Sequence, residues 1–476
     1  MSSVHAALKW SFLGEIASKA VTPVVFVVLA RLLTPEDFGV VAAATMVISF
    51  SQIFWEAGMG NAIIQYRGER TVAANAAFWI NNALGLLVAG ALVASSGLVA
   101  DRVFHDPRVA PVLQVMALQV LLSASVSIHI ALLQKDLNFR HLFWVRLATV
   151  AIPGLASIPL AWYGMGYWAL VAGTLAGQVF QVALLWKTSS WRPRFTFDRR
   201  IARKLVSFGG WVAVTALLSW FYLWADSLIV GIYLGSHELG LYRTGNAFVM
   251  MIYGLIFGPL MPVLYSHLSA VSHDRARIRE IMTNVIRMLT FLSLPLAVII
   301  AANANLIGDL VFGPKWTGIS LVIAVMALTH GVSWVVSANG EAYRAIGMPS
   351  TETKAMGLSL GIYLIGYLVS IQHGFEAFVW TRLGLVFVGA FIQLKFIKYL
   401  IGIDIKKVIG YSFVIAFMCS VPILIAMLMM QGRGLTAQAV SFGFTGASIA
   451  CLLFLYERNR LIPELWHISK KMILKP

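Results

Sequence analysis

Charge is scarce in this 476-residue sequence: Asp, Glu, Lys and Arg together make up 12% of it, and only 20 residues are acidic. A soluble globular domain carries roughly 25% charged residues, so a water-facing surface of ordinary composition is excluded. Cysteine is scarcer still. Cys419 and Cys451 each sit in an apolar run without a CxxC or Cys/His companion, which excludes a disulfide framework or zinc site and leaves two buried small apolar residues as the expectation. No GxxxxGK[ST] phosphate loop, HExxH pair or GxSxG elbow occurs, so no ATP hydrolysis, metal site, cofactor or catalytic residue is expected.

Apolar residue is what the chain has instead. It is 59% hydrophobic with a mean hydropathy of +0.81, more than any single water-soluble core can bury. The solvent is lipid, and a span needs about 20 apolar residues. Runs of that length place helices near 10–33, 38–58, 76–98, 111–133, 142–162 and 167–186, then 206–234, 240–266, 285–304, 319–343, 354–371 and 375–397, with two more at 408–430 and 438–455. The expected fold is therefore an all-α polytopic membrane protein of about 14 transmembrane helices. Short turns at Thr34–Asp37 and Tyr163–Gly166 separate the closest pairs. The apolar stretch after MSSVHAALK is long and has no A-x-A cleavage site, and reads as a retained first span.

The net charge of +16 and pI near 9.9 do not point to nucleic acid, because the basic residues lie between apolar segments rather than on one soluble face. They report topology instead. With the N-terminus inside, about 28 of the 36 Lys and Arg fall in cytoplasmic segments or their margins, and both termini face the cytoplasm. The densest such loop, 187–204, reads KTSSWRPRFTFDRRIARK. It divides the chain into a six-helix lobe at 1–186 and a second at 205–400, followed by two additional helices at 401–456 and a basic amphipathic tail at 457–476. Lys470, Lys471 and Lys475 suit that tail to anionic membrane lipid.

The two lobes share sequence. LTPEDFG at 33–39 matches LGSHELG at 234–240, VMAL recurs at 115–118 and 325–328, and Gly166, Ala169 and Val171 align with Gly374, Ala377 and Val379. Three matches in order at offsets of about 200 to 210 residues indicate a duplicated six-helix unit, and an even number of spans makes the copies parallel.

Ionisable residues inside spans cost about 2.5–3.5 kcal/mol each on insertion scales, so they face a cavity or a partner. Glu15 and Lys19 lie one turn apart before Pro23, as an intrahelical pair or as cavity lining. Arg31 sits at the outer end of the same helix. Asp226 precedes the 235–240 turn and Arg243 follows it, at depths differing by roughly 7 to 9 Å, which allows a structural ion pair or ligand contact. Glu341 and Arg344 close the tenth helix at the cytoplasmic interface, and Arg382 has Glu376 nearby on the twelfth. At the 201-residue offset Lys19 meets Trp220, Asp226 meets Val25 and Arg243 meets Ala42, so these charges belong to one half only. Two GxxxG spacings, Gly173–Gly177 and Gly357–Gly361, read as close helix packing.

The stretches LARLLTPEDFGVVAAATMVISFSQIFWEAGMGNAIIQ, GYWALVAGTLAGQVFQVALLW with its WRPRFTFD, and ADSLIVGIYLGSHELGLYRTGNAF resemble the polysaccharide transporter family of oligosaccharide flippases. That family lies within the superfamily that also holds multidrug antiporters and the peptidoglycan-precursor flippase. The resemblance covers essentially the whole chain, except that YSHLS replaces the family's FPALS, with Ser266 in place of its Pro. It implies two lobes around a central cavity and alternating access for an undecaprenyl-pyrophosphate-linked repeat unit in a bacterial inner membrane. It also implies a lipid-linked oligosaccharide as substrate, with a polysaccharide polymerase and co-polymerase as candidate partners. Lys19, Arg31 and Arg243, with Asp226, Glu15, Glu341 and Arg344, are then the expected cavity residues. A cation-coupled drug antiporter of the same superfamily is the alternative, disfavoured by the span number and those cations. A membrane glycan polymerase or ligase would need large outer loops, and the outer loops here are short. The orientation has a direct measurement: reporters fused after Trp191 and after Glu457 should be active only if they work in the cytoplasm, and a periplasmic signal from either reverses it.

Overall fold

The computed structural model describes residues 21–56, 58–196, 198–430 and 435–457. Every regular element among them is helical. The chain divides into two compact units, Met1–Thr244 and Gly245–Pro476. The first holds α1 (Val21–Leu32), α2 (Pro35–Glu56), α3 (Met59–Gln65), α4 (Arg70–Leu98), α5 (Val109–Lys135), α6 (Phe139–Trp162), α7 (Tyr167–Thr188), α8 (Arg199–Tyr233) and the start of α9 (Ser236–Phe257). The second holds the rest of α9, then α10 (Leu260–Ala270), α11 (Arg275–Ala302), α12 (Ala304–Ile307), α13 (Ile319–Val335), α14 (Asn339–Ala345), α15 (Pro349–Ser370), α16 (Phe375–Ile401), α17 (Ile405–Met430) and α18 (Leu435–Glu457).

Among the described residues 11 helices are long and apolar enough to cross a membrane, or 12 with the pair α9–α10, which bends by 47° at Gly258–Pro259. The shorter apolar helix Val21–Leu32 adjoins residues outside that description, Thr445–Tyr456 is the apolar part of α18, and the expected tail lies outside the description from residue 458 on. Each described run matches a span expected from hydropathy, but the helices extend past it. The run expected at 76–98 becomes Arg70–Phe104, and that at 285–304 begins at Arg275. Polar ends beyond the hydrocarbon are invisible to hydropathy, yet they carry the caps. Asp198 accepts from the backbone N–H groups of Arg200 and Ile201 to start α8, and Asp274 accepts from that of Arg277 to start α11. The segment 187–204 thus contains the end of α7, an irregular stretch, and the first turn of α8 from Arg199. α10 runs unbroken through Ser266, where a proline would have removed a donor.

In the first unit α6 packs along α7 where side chains vanish. A Cβ on Gly173 would strike Ser157 Oγ and the Pro153 carbonyl, and one on Gly177 the Pro153 ring, so this GxxxG is a packing face. The second GxxxG departs from expectation. Gly357 and Gly361 have no neighbour within 4 Å of where a Cβ would lie, because α15 packs on α16 through another face, with Gly366 against Leu385 and Tyr363 against Gly389. Cys419 is buried but Cys451, expected to be buried, is exposed; an apolar thiol facing lipid has no water to avoid. Leu86, Leu87, Leu155 and Ile365 are exposed in the same way, and an outward apolar surface is what a bilayer requires.

The structure adds one repeat that hydropathy does not show. Val99–Phe104 and Gly308–Phe312 are both π-helical turns, in the sequences LVADRVF at 98–104 and LIGDLVF at 306–312, with Phe104 and Phe312 both buried. Each turn ends on a residue of positive φ: His105 at 53°, in the left-handed helical region, and Gly313 at 82°. Glycine adopts that conformation without a Cβ clash, whereas histidine pays about 1 kcal/mol or more. His105→Gly should therefore raise stability by about 1 kcal/mol, read as a higher thermal unfolding midpoint of the purified protein. An unchanged or lowered midpoint would mean that the imidazole makes up the loss.

Candidate functional site

The two matching turns, 33–39 and 234–240, meet in the first unit. Thr34 and Asp37 form a reciprocal cap on α2: the Thr34 N–H donates to Asp37 Oδ2 at 3.0 Å, and the Asp37 N–H donates to Thr34 Oγ1 at 3.3 Å. α9 starts after Gly235 at φ 93°. The helix starts then cross at Gly39 and Gly240. A Cβ on Gly39 would enter the Ser236 carbonyl, and one on Gly240 the Pro35 carbonyl, so only hydrogen fits at either place. The contact is reciprocal, and its partners keep the offset of the matching turns: Pro35 and Gly39 stand 201 residues before Ser236 and Gly240.

Charges surround this crossing. His237 Nδ1 lies 2.5 Å from Glu36 Oε1, both about 40% exposed. Asp106 accepts from Ser236 Oγ at 2.6 Å and from Arg108 Nη2 at 2.8 Å. Burial pushes the Asp106 carboxyl up, but the hydrogen bonds from Arg108 and Ser236 outweigh it and hold the group below the ordinary carboxylate value. The bond to Asp106 holds Arg108 above the ordinary arginine value.

Deeper in the same unit lie two of the expected site residues. Asp226 is buried; it accepts from the Tyr242 hydroxyl at 2.8 Å and from the Ser227 N–H at 2.6 Å. Arg243 places its guanidinium 3.9 Å from the Trp224 ring centroid and reaches Ser227 Oγ at 3.5 Å. The contacts of these two residues include Ser227, and also Tyr242 and Trp224, which the charge pattern passed over. An aromatic within two residues of a charged one is the signal that could have found them. Arg31 is exposed near the end of α1. Glu15 and Lys19 lie outside the described residues.

In the second unit Arg344 Nη2 bonds Glu341 Oε1 at 3.0 Å, with Glu352 Oε2 at 3.7 Å from Arg344 Nε. Arg382 donates to the Tyr367 hydroxyl and stands 5.8 Å from the Tyr363 ring centroid. In the same unit Tyr253 is fully buried and donates to the Ser293 and Ala327 carbonyls at 3.1 and 3.2 Å. No group of three or more His, Cys, Asp or Glu side chains among the described residues could hold a metal ion.

This fold defines a class. The chain is similar to the solved lipid II flippase MurJ in its inward closed conformation, with a TM-score of 0.77 over 94% of this chain and 99% of that one at 13% identity, so it shares that multi-pass membrane fold. It belongs to the polysaccharide biosynthesis protein family, whose model matches residues 28–321. Two relatives are the succinoglycan biosynthesis transport protein ExoT of Rhizobium meliloti (strain 1021), 25% identical over 68% of this chain, and the lipopolysaccharide biosynthesis protein WzxC of Escherichia coli (strain K12), 21% identical over 67%. The chain spans 65% of the length of each.

The Asp106 geometry sets a pH dependence. A carboxyl whose folded pKa is depressed contributes stability that is complete above its unfolded value, near 3.9, and is lost as pH falls through the folded value. Asp106→Asn should thus lower the thermal midpoint at pH 7, and the gap from the parent protein should close below about pH 4. A gap that persists at low pH would assign Asp106 a role other than its charge.

Proposed function

We propose that this protein is a flippase that carries an undecaprenyl-pyrophosphate-linked oligosaccharide across the bacterial inner membrane by alternating access of its duplicated six-helix halves. The observation that carries the reading is Arg243, a guanidinium kept within a span against Trp224 and beside Asp226. The names of the family and of ExoT and WzxC supply the class of glycan pathway. An oligosaccharide has many hydroxyls, each costly to desolvate without a replacement hydrogen bond, and a pyrophosphate adds charge that hydrocarbon refuses. A wet, basic path removes both costs while the prenyl chain stays in lipid. The protein needs only to bind and move the head group; no bond in the substrate has to be made or broken, and the protein acts as a transporter rather than an enzyme.

In this reading Arg243 offers the pyrophosphate a bidentate, charge-assisted contact, together with Lys19, while Asp226 and Tyr242 fix the local geometry and Arg31 lies nearer the outer mouth. Glu341 and Arg344 stand at the cytoplasmic end. The crossed starts of α2 and α9 close the outer end and part when substrate leaves, with Glu36–His237 and Asp106–Ser236 as the contacts that break. Both termini and the 187–204 loop face the cytoplasm, with 205–400 as the second lobe and 401–456 peripheral to the path. A polymerase and co-polymerase consume the delivered units.

Transport of a defined lipid-linked oligosaccharide into proteoliposomes tests this. Arg243→Ala should lower the rate about tenfold, the worth of one hydrogen bond to a charged group, with protein abundance near normal. Arg243→Lys should restore part of it. An alanine variant that accumulates normally and flips substrate at the parent rate removes Arg243 from the path. A parent protein that moves organic cations and no lipid-linked sugar is a drug antiporter.

A further inference from the structure

A second cationic site lies away from the Arg243 cluster, where α3, α4 and α5 end at one face of the first unit. The turn from Tyr66 to Glu69, which joins α3 to α4, borders an open cavity of about 800 Å³ lined by Gln65, Tyr66, Arg67, Gly68, Arg70 and Lys135. Pockets for small ligands run about 300–1,000 Å³, so the space suits a head group and not a whole lipid.

Two of its three cations are held in place. Lys135 Nζ donates to the Ile63 and Tyr66 carbonyls at 2.9 and 2.6 Å, which ties the end of α5 to the last turn of α3. Arg70 makes a two-pronged bond to Asp136, both contacts 2.6 Å, which ties the start of α4 to the residue after α5. Beneath the turn, Met59, Ala62, Ile63, Ala74, Phe78 and Ala131 form a buried apolar base, against which Tyr66 packs. The third cation differs. Arg67 is exposed and makes no side-chain hydrogen bond or ion pair among the described residues. The acidic neighbours are Asp136, already neutralised by Arg70, and the exposed Glu69, so the cavity keeps an excess of positive charge.

We propose that this cavity binds the phosphoryl head group of a membrane lipid. The ligand must be anionic, because Arg67 and Lys135 face it without a carboxylate of their own. It must come from the bilayer, because apolar spans begin directly beneath the rim, at Gln65 and Arg70, so a lipid phosphate rides at this depth. Arg67 supplies the fork geometry that two phosphate oxygens accept. Two sources share that chemistry: a polyprenyl diphosphate, which would make the cavity a loading site ahead of the Arg243 cluster, and an anionic glycerophospholipid of the surrounding leaflet. Only the choice of the diphosphate probe rests on the flippase reading.

The full chain in phosphatidylcholine nanodiscs can be titrated with geranylgeranyl diphosphate, and in discs containing phosphatidylglycerol it can be analysed for retained lipid by native mass spectrometry. Arg67→Ala and Arg67→Glu lie on an exposed turn and leave the buried base intact; Arg203→Ala, an exposed cation on α8, is the control. The expected result is about tenfold weaker binding in the alanine variant, more in the glutamate variant, and none of this in the control. Loss in the diphosphate titration identifies a loading site, and loss of retained phosphatidylglycerol identifies a leaflet-lipid site. Equal binding by the parent and both Arg67 variants in both arms overturns the proposal. Transport measured on the same variants separates the two readings: a chain that flips lipid-linked sugar while Arg67 proves irrelevant to binding loses this site and keeps its function.

Discussion

Hydrocarbon offers a polar group no partner, so each hydroxyl, carboxylate and guanidinium among the spans must find one within the protein. That constraint orders the interior. Tyr253 reaches two backbone carbonyls on two helices, and by doing so fixes α9 against α11 and α13. Asp226 is enclosed by Tyr242 and Ser227, and Arg243 is laid on an indole. Each such bond is worth about 1 kcal/mol net when formed, but leaving a buried group unpaired costs about 1–3 kcal/mol, so the polar contacts select one packing more strongly than the interchangeable apolar ones do.

The second ordering principle is the absence of side chains. Helices associating in lipid gain little from apolar burial, since lipid tails are as apolar as leucine, and depend on close approach. Gly173 and Gly177 let α7 lie against Pro153 and Ser157; Gly39 and Gly240 let two helix starts touch backbone to backbone. A crossing that close is fixed by backbone contact rather than by side chains.

The spans, the turn at Thr34–Asp37 and the packing of Gly173–Gly177 were legible in the sequence because each rests on local chemistry: apolar run length, a reciprocal cap, a missing Cβ. Depth alone, since a helix rises by a fixed amount per residue, put Asp226 and Arg243 within reach of each other but did not show the Tyr242 and Ser227 groups that bond Asp226. What sequence left unread depends on rotation about helix axes. Gly357–Gly361 has the same spacing as Gly173–Gly177 but points elsewhere, and Cys451 sits in an apolar run yet faces outward. In a soluble protein an apolar residue is driven inward; here both sides of a helix are apolar, and hydropathy cannot say which one meets protein. Tyr242 and Trp224 were passed over for a related reason, since aromatic residues among apolar ones draw no notice until a charge is found against them.

The paired π-helical turns say something about descent. Such a turn inserts a residue into a helix and is costly to acquire, yet it stands at matching places in both halves, with Leu98, Asp101, Val103 and Phe104 answering to Leu306, Asp309, Val311 and Phe312. One origin for both turns is more economical than two independent insertions of the same kind at the same place. Arg243 and Asp226, by contrast, answer to Ala42 and Val25. The shared helical turn thus recurs along the chain where the charges of the Asp226 and Arg243 cluster do not.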